Sequence, residues 1–177
     1  GVLNKNIKML GEHTLIEWSI AACKKSKLID RVIVSTDSVE YGKLCQGYGS
    51  EVPFLRPAEI SGDRSTDYEF VIHALDWLAA HGGEPDYIVH VRPSTPFRMP
   101  QLIDEAISAF QASTEATSLR SVHEMSESAY KTFELAAGGQ LKRVGEDSTA
   151  LDAANAARQQ FPNTFIANGY VDVLSTA

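Results

Sequence analysis

The sequence predicts an α/β domain built on a parallel sheet with helices on both faces, and three observations predict it. Short β-branched runs alternate with helix-length amphipathic stretches through residue 122. Two of those stretches open with a T-x-x-E capping box, at residues 14–17 and 66–69. The strand-like runs stop at polar loops, as the ligand-side loops of open α/β sheets do.

The elements follow in order. Thr14 and Glu17 open a helix that carries Leu15, Trp18, Ile20 and Ala22. It ends in Lys24, Lys25 and Lys27, cations that suit the negative end of the helix dipole. Residues 31–35 have the continuous apolar character of a buried parallel strand. Ser38 caps a second helix to about Tyr48, closed by Gly49, and a brief strand covers residues 51–54. Behind Thr66, a third helix places Tyr68, Val71, Ile72, Leu75 and Leu78 on one face. Residues 86–91 read as the next strand, Pro100 starts a helix running to about Phe110, and residues 117–122 are strand again. Beyond them, strand-like pieces near 130–135, 164–166 and 170–174 are split by the Gly- and Ala-rich stretch 136–157. No internal repeat or linker marks a boundary, so residues 1–177 read as one domain.

Composition narrows the function. The chain has 177 residues, 44% hydrophobic and 22% charged, enough to bury a core. A formal charge of −7 argues against a general nucleic-acid binder, because phosphate backbones recruit basic faces. Cys23 and Cys45 lie in helical stretches with no CxxC spacing, so they read as buried free thiols. No run of 18 apolar residues and no basic-then-apolar leader is present, which predicts a cytoplasmic protein without a membrane span. The chain opens at Gly1 without Met and stops at Ala177 inside a strand-like run, so both ends are expected to be incomplete.

Candidate chemistry concentrates in the loops. Lys5 supplies a mobile charge and Asn6 a donor and an acceptor, a pair able to grip phosphate or ribose. Flanking prolines stiffen the loop that carries Arg56. Ser65 precedes a helix N-terminus, where exposed N–H groups favour acceptor-rich ligands, while Thr66 caps the helix. Residues 92–98, Arg-Pro-Ser-Thr-Pro-Phe-Arg, combine two prolines, two hydroxyls (Ser94 and Thr95) and two arginines. They predict a rigid, electropositive rim suited to an acidic substrate. Arg158 offers a charge for a carboxylate or phosphate, and Asn168 a hydrogen bond to a sugar hydroxyl. Taken alone, Asn168-Gly169 reads as a hairpin turn. The histidines do not cluster, and no HExxH, complete Walker loop or GxGxxG is present.

In order along the chain, these segments resemble the acylneuraminate cytidylyltransferases. Lys5-Asn6-Ile7-Lys8 is similar to the family's K-N-I-K, and residues 29–38 resemble its I-D-x-V-x-V-S-T-D-S. Residues 52–59 are similar to V-P-F-x-R-P-x-E, and residues 92–98 stand in place of Q-P-T-S-P-L-R. Tyr130-Lys131 resembles the family's lysine in the strand after the sheet, and Arg158-Gln159 with Asn168-Gly169 its R-Q and N-G pairs.

The resemblance implies a Rossmann-like fold: a mostly parallel sheet in a three-layer sandwich, plus a small β-containing dimerisation region. It implies a homodimer that uses Mg²⁺ to transfer CMP from CTP to the anomeric hydroxyl of an acidic nonulosonic sugar. Lys5 would be the catalytic residue, and Lys5, Asn6, Arg56 and Ser65 would bind the nucleotide. Arg92, Ser94, Thr95, Lys131, Arg158 and Asn168 would line the sugar side. The family's first strand, its Ala-Arg-x-Gly-Ser-Lys-Gly loop and its D-I-D-T metal segment have no counterpart in the sequence, and Gly1 would be that loop's last glycine. No metal ligand is therefore named. Arg92 stands where the family has glutamine, which adds a charge beside the sugar. Two alternatives stay open: a legionaminate, pseudaminate or 3-deoxy-manno-octulosonate cytidylyltransferase, or a catalytically silent nucleotide-binding module.

Overall fold

In the computed structural model, which describes residues 2–144 and 152–176, the helices begin where their caps predict. Gly1 and residues 145–151 of the Gly/Ala-rich stretch lie outside the described residues. A hairpin the sequence did not announce, β1 (Met9–Leu10) and β2 (His13–Thr14), turns on Gly11 in the left-handed region at φ 68°. Thr14 then caps α1 (Leu15–Lys25), its side chain accepting from the Glu17 N–H while the Glu17 carboxylate accepts from the Thr14 N–H. Ser38 caps α2 (Val39–Gly47), and Thr66 with Glu69 forms the second capping box at α3 (Asp67–His81).

Two expected strands are reduced. Residues 31–35 and 51–54 meet in a single parallel bridge, Ile33 to Glu51, with Val34 N–H donating to the Glu51 carbonyl at 2.9 Å. One bridge is too short a ladder to count as strand. The strand at 86–91 is observed as β3 (Tyr87–His90), followed by α4 (Pro100–Gln111) and β4 (Ser118–Glu124). The pieces at 164–166 and 170–174 are one strand, β7 (Phe165–Ser175), after the hairpin β5 (Phe133–Leu135) and β6 (Leu141–Arg143). Asn168-Gly169 is therefore no hairpin turn. Gly169 adopts φ 66° inside β7, a local kink that a side chain would strain.

The three-stranded sheet runs β3-β7-β4, with β3 antiparallel to β7. Among the described residues, the mostly parallel sheet expected from the alternation is thus represented by the Ile33–Glu51 bridge alone. The fold is mixed α/β with four α-helices.

The chain divides into two compact units, Gly1–Ser121 with Gly169–Ala177, and Val122–Asn168. Both edges of the second unit fall inside strands, without a linker composition. In the first unit, Ala22, Ile103, Ile107, Phe110, Val171 and Val173 form one core cluster. Ile16, Ile20 and Cys45 form another, with Val32, Val34 and Val52 packed against it. That packing explains why residues 31–35 are apolar without being part of a long ladder. Contrary to the expected face of α3, Tyr68 is exposed and Leu78 is its buried residue. Both cysteines are free and buried, and burial pushes the Cys23 thiol up to about 11.

Candidate functional site

Sheet register builds the centre of the site. His90 ends β3 and is the cross-strand partner of Asp172 on β7, so the Asp172 carboxylate stands where the 92–98 loop departs. Arg92 donates through Nη1 to Asp172 Oδ2 at 3.0 Å and through Nη2 to Asp67 Oδ2 at the start of α3. From β4, Arg120 donates through Nε to Asp172 Oδ1 at 3.1 Å. The Asp172 side chain is only 3% exposed, so two guanidiniums replace the water it has lost. His90 Nδ1 lies 4.0 Å from Asp67 Oδ2. Burial, and then the charge of Arg92, holds the His90 pKa below the ordinary histidine value, so the ring is neutral at pH 7.

The electropositive rim expected from residues 92–98 is corrected by these contacts. Arg92 is neutralised by two carboxylates. Arg98 is buried, and its guanidinium faces inward: it donates to the carbonyls of Arg92, Thr95, Gly169 and Tyr170 and to the Ser19 hydroxyl. Arg98 is thus a brace that fixes the loop's backbone rather than a charge offered to a ligand. Ser94 is exposed at the tip of this loop. Thr95 is half-buried, with its hydroxyl 3.5 Å from where a Cβ on Gly169 would sit, so the absent side chain lets β7 approach the loop. Phe97 adopts φ 59°, a strained conformation for an aromatic residue, and meets Trp18 edge-on with ring centroids 5.1 Å apart.

Arg56 approaches the same helix end. Its backbone N–H donates to the Thr36 carbonyl at 2.8 Å, and its guanidinium lies 5.4 Å over the Phe70 ring. Its Nη2 is 3.9 Å from Asp37 Oδ1, and its buried Nε has no partner among the described residues. Phe70 in turn meets His90 edge-on at 5.4 Å. Arg56, Phe70, His90, Asp67 and Arg92 therefore form a continuous chain of contacts around the first turns of α3. Ser65 lies in the turn just before α3, its hydroxyl accepting from the Gly62 N–H at 3.0 Å.

Lys5 and Asn6 sit on a 3₁₀ turn, Lys5–Ile7, entered through Asn4 in the left-handed region at φ 54°. Tyr41 of α2 donates to Asn4 Oδ1 at 2.7 Å, and α2 starts just beyond Asp37, the acidic neighbour of Arg56. The Lys5 side chain is exposed.

Three predicted residues belong to the second unit. Lys131 ends a 3₁₀ turn, Ala129–Lys131, and not a strand, and its ammonium lies 5.8 Å over Phe161, which stacks on Tyr130. Arg158 borders a cavity of about 310 Å³ with Glu124, Ser128, Gln159, Phe161 and Thr164 among its walls. Asn168 is exposed on β7.

Among the described residues, no three His, Cys, Asp or Glu side chains converge as a metal-ligand set. Asp172, the most buried carboxylate of the site, has both oxygens occupied by arginines.

Sequence reasoning missed Asp67, Arg120 and Asp172. Asp172 carried a signal: it is the lone charge of its strand, between Val171 and Val173. A charge in a buried strand needs a partner of opposite sign.

Comparison with known proteins decides the family. A family model described as "Cytidylyltransferase" matches residues 1–158. The chain belongs to the cytidylyltransferase family. It is 34% identical over 111 residues to an N-acylneuraminate cytidylyltransferase of Escherichia coli, covering 63% of this chain and 25% of that protein. It is 39% identical over 75 residues to a CMP-N,N'-diacetyllegionaminic acid synthase of Campylobacter jejuni, covering 42% of this chain and 32% of that protein. This cytidylyltransferase-family chain thus spans a quarter to a third of the length of these two relatives in the matched regions. The structure of a CMP:2-keto-3-deoxy-manno-octonic acid synthetase complexed with CTP superposes with a TM-score of 0.67 at 11% identity, covering 98% of this chain and 68% of that one. That likeness shows the fold.

Proposed function

We propose that this chain binds CTP and an acidic nonulosonic sugar and transfers CMP to the sugar's anomeric hydroxyl. The hydroxyl oxygen bonds to the α-phosphorus, the bond to the bridging oxygen breaks, and pyrophosphate leaves with the electron pair while the hydroxyl proton is lost. The family match over residues 1–158 carries this reading. The relatives named for neuraminate and legionaminate support the sugar class.

Such a step gains mainly from positioning and from neutralising phosphate charge. In this reading the exposed Lys5 meets the triphosphate and Asn6 the nucleotide. Arg56, with its unpartnered Nε, and Ser65 hold the cytidine portion. Ser94 and Thr95, on the loop braced by Arg98, orient the sugar, with Arg92 positioning that loop from Asp67 and Asp172. Lys131, Arg158 and Asn168, in the second unit, are assigned to the sugar by the family resemblance alone. A Rossmann-like three-layer arrangement, a dimerisation role for the second unit, a homodimer, Mg²⁺ as cofactor and a cytoplasmic location belong to the same reading and rest on the family resemblance. No helix among the described residues is long and apolar enough to cross a membrane.

Nucleotide choice tests the proposal. Pyrophosphate release in the presence of an acidic sugar is expected with CTP and at least tenfold slower with UTP, ATP or GTP. Equal rates with UTP or ATP would remove the cytidylyltransferase assignment.

A further inference from the structure

We propose that Arg120 recognises the carboxylate of the acidic sugar, a role that neither the motif series nor the Arg92 substitution assigns to it. The inference rests on the cytidylyltransferase reading above and names the residue that selects the acid.

Four arginines of the first unit show how their donors are used. Arg31 is paired through Nε and Nη2 with Glu51. Arg92 uses both terminal nitrogens on Asp172 and Asp67. Arg98 faces backbone carbonyls and Ser19. Arg120 alone of these is anchored only through Nε, and its side chain is 59% exposed. Its two terminal nitrogens have no partner among the described residues. A guanidinium held at Nε keeps its far edge free, and that edge presents two parallel N–H donors of the spacing a carboxylate accepts.

The anchor also places Arg120 at the site. The same Asp172 carboxylate takes Arg92 on one oxygen and Arg120 on the other, and Arg92 begins the Ser94–Thr95 loop. Orientation is therefore shared between the loop that would position the sugar and the arginine that would read it. Charge favours the sugar acid over the triphosphate. Arg92 and Arg120 balance Asp67 and Asp172, and His90 is neutral, so the cluster carries no surplus for a polyanion. A single carboxylate is matched by one exposed fork, whereas a triphosphate needs several cations.

Steady-state kinetics of the full chain with CTP and N-acetylneuraminate, and with the methyl ester of that sugar, test the assignment. For Arg120→Gln we expect the KM for the free acid to rise at least tenfold, while the KM for CTP stays within twofold. The preference of the wild type for the acid over its ester should collapse, and Arg120→Lys should recover part of it. Arg92 still pairs with Asp172 in both variants, so both should retain a cooperative melt. A variant with unchanged KM for the acid overturns the proposal, as does an intact acid-over-ester preference. A parallel rise in both KM values would place the triphosphate, not the sugar acid, on Arg120. If the wild type transfers CMP to no acidic sugar, the cytidylyltransferase reading itself fails, and this assignment falls with it. Activity that survives in the wild type and is indifferent to Arg120 removes the assignment alone.

Discussion

A carboxylate sealed from water depends on its partners, and Asp172 has two. Removing Arg92 leaves the nearly buried Asp172 with Arg120 alone and strips Asp67 of its ion partner. Hydrogen bonds to charged groups contribute about 1.5–3 kcal/mol each, so Arg92→Gln should lower stability by about 1–3 kcal/mol in urea denaturation. In an Asp172→Asn background the same change should cost less than half as much, because the shared interaction is already gone. An undiminished cost in that background would mean that Arg92 acts through something other than this pair. Lys5 is the opposite case. It is exposed on a short 3₁₀ turn, so Lys5→Ala should leave the melting temperature within a degree or two while depressing turnover at least a hundredfold. Undiminished CMP transfer by that variant would take Lys5 out of the mechanism. At this scale the sequence showed which residues are charged and which loops hold them. It did not show which charges are free. Arg92 and Arg98 read alike in one short loop, yet one pairs with carboxylates and the other with carbonyls, because the partners that separate them, Asp172 for Arg92 and Gly169 and Tyr170 for Arg98, lie far along the chain.

Elements were legible where their signals are local. Thr14 and Thr66 each sit three residues before a glutamate, and both capping boxes are present. Replacing Thr66 by Ala should cost about 1 kcal/mol and loosen the first turn of α3, which carries Asp67 and Phe70. Strands were less legible, because a strand exists only through its neighbour. Residues 31–35 satisfy every compositional test yet form one bridge, and Asn168-Gly169 looks like a turn but kinks a continuous strand. A second element-level tie joins α4 to the end of α1. The Asp104 carboxylate accepts from the Ser26 hydroxyl and from the N–H groups of Lys27 and Leu28. These donors, the Ser26 hydroxyl foremost, hold its pKa below the ordinary aspartate value. A lowered carboxylate pKa gives stability that is present above the unfolded value, about 3.9, and is lost as pH falls through the folded one. The stability difference between wild type and Asp104→Asn should therefore be full near pH 7 and shrink on acidification below about pH 4. A difference that stays constant across that range would contradict the hydrogen-bond account.

For the whole molecule, alternation of helix and strand indicated an α/β fold, and it stops at residue 122, where the second unit begins. The inserted unit, Val122–Asn168, begins and ends inside strands, so no change of composition marks its edges. The ordered motif series reached further than the physics of any one segment, because most of its motifs fall in loops, turns or caps, with Asn168-Gly169 in β7 the exception. What the composition of residues 92–98 suggested as a charged rim is in the structure a neutral, braced frame, with Arg120 anchored beside it through Nε. The reading of that frame as a CMP-transfer site is tested most directly by identifying the product. The full chain should be incubated with CTP, Mg²⁺ and, in turn, N-acetylneuraminate, legionaminate, pseudaminate and 3-deoxy-manno-octulosonate, and the mixtures followed by mass spectrometry and phosphorus NMR. We expect a CMP-linked sugar and equimolar pyrophosphate from at least one nonulosonic acid. CTP left intact with every acid, or cleaved without a CMP–sugar bond, would contradict the assignment.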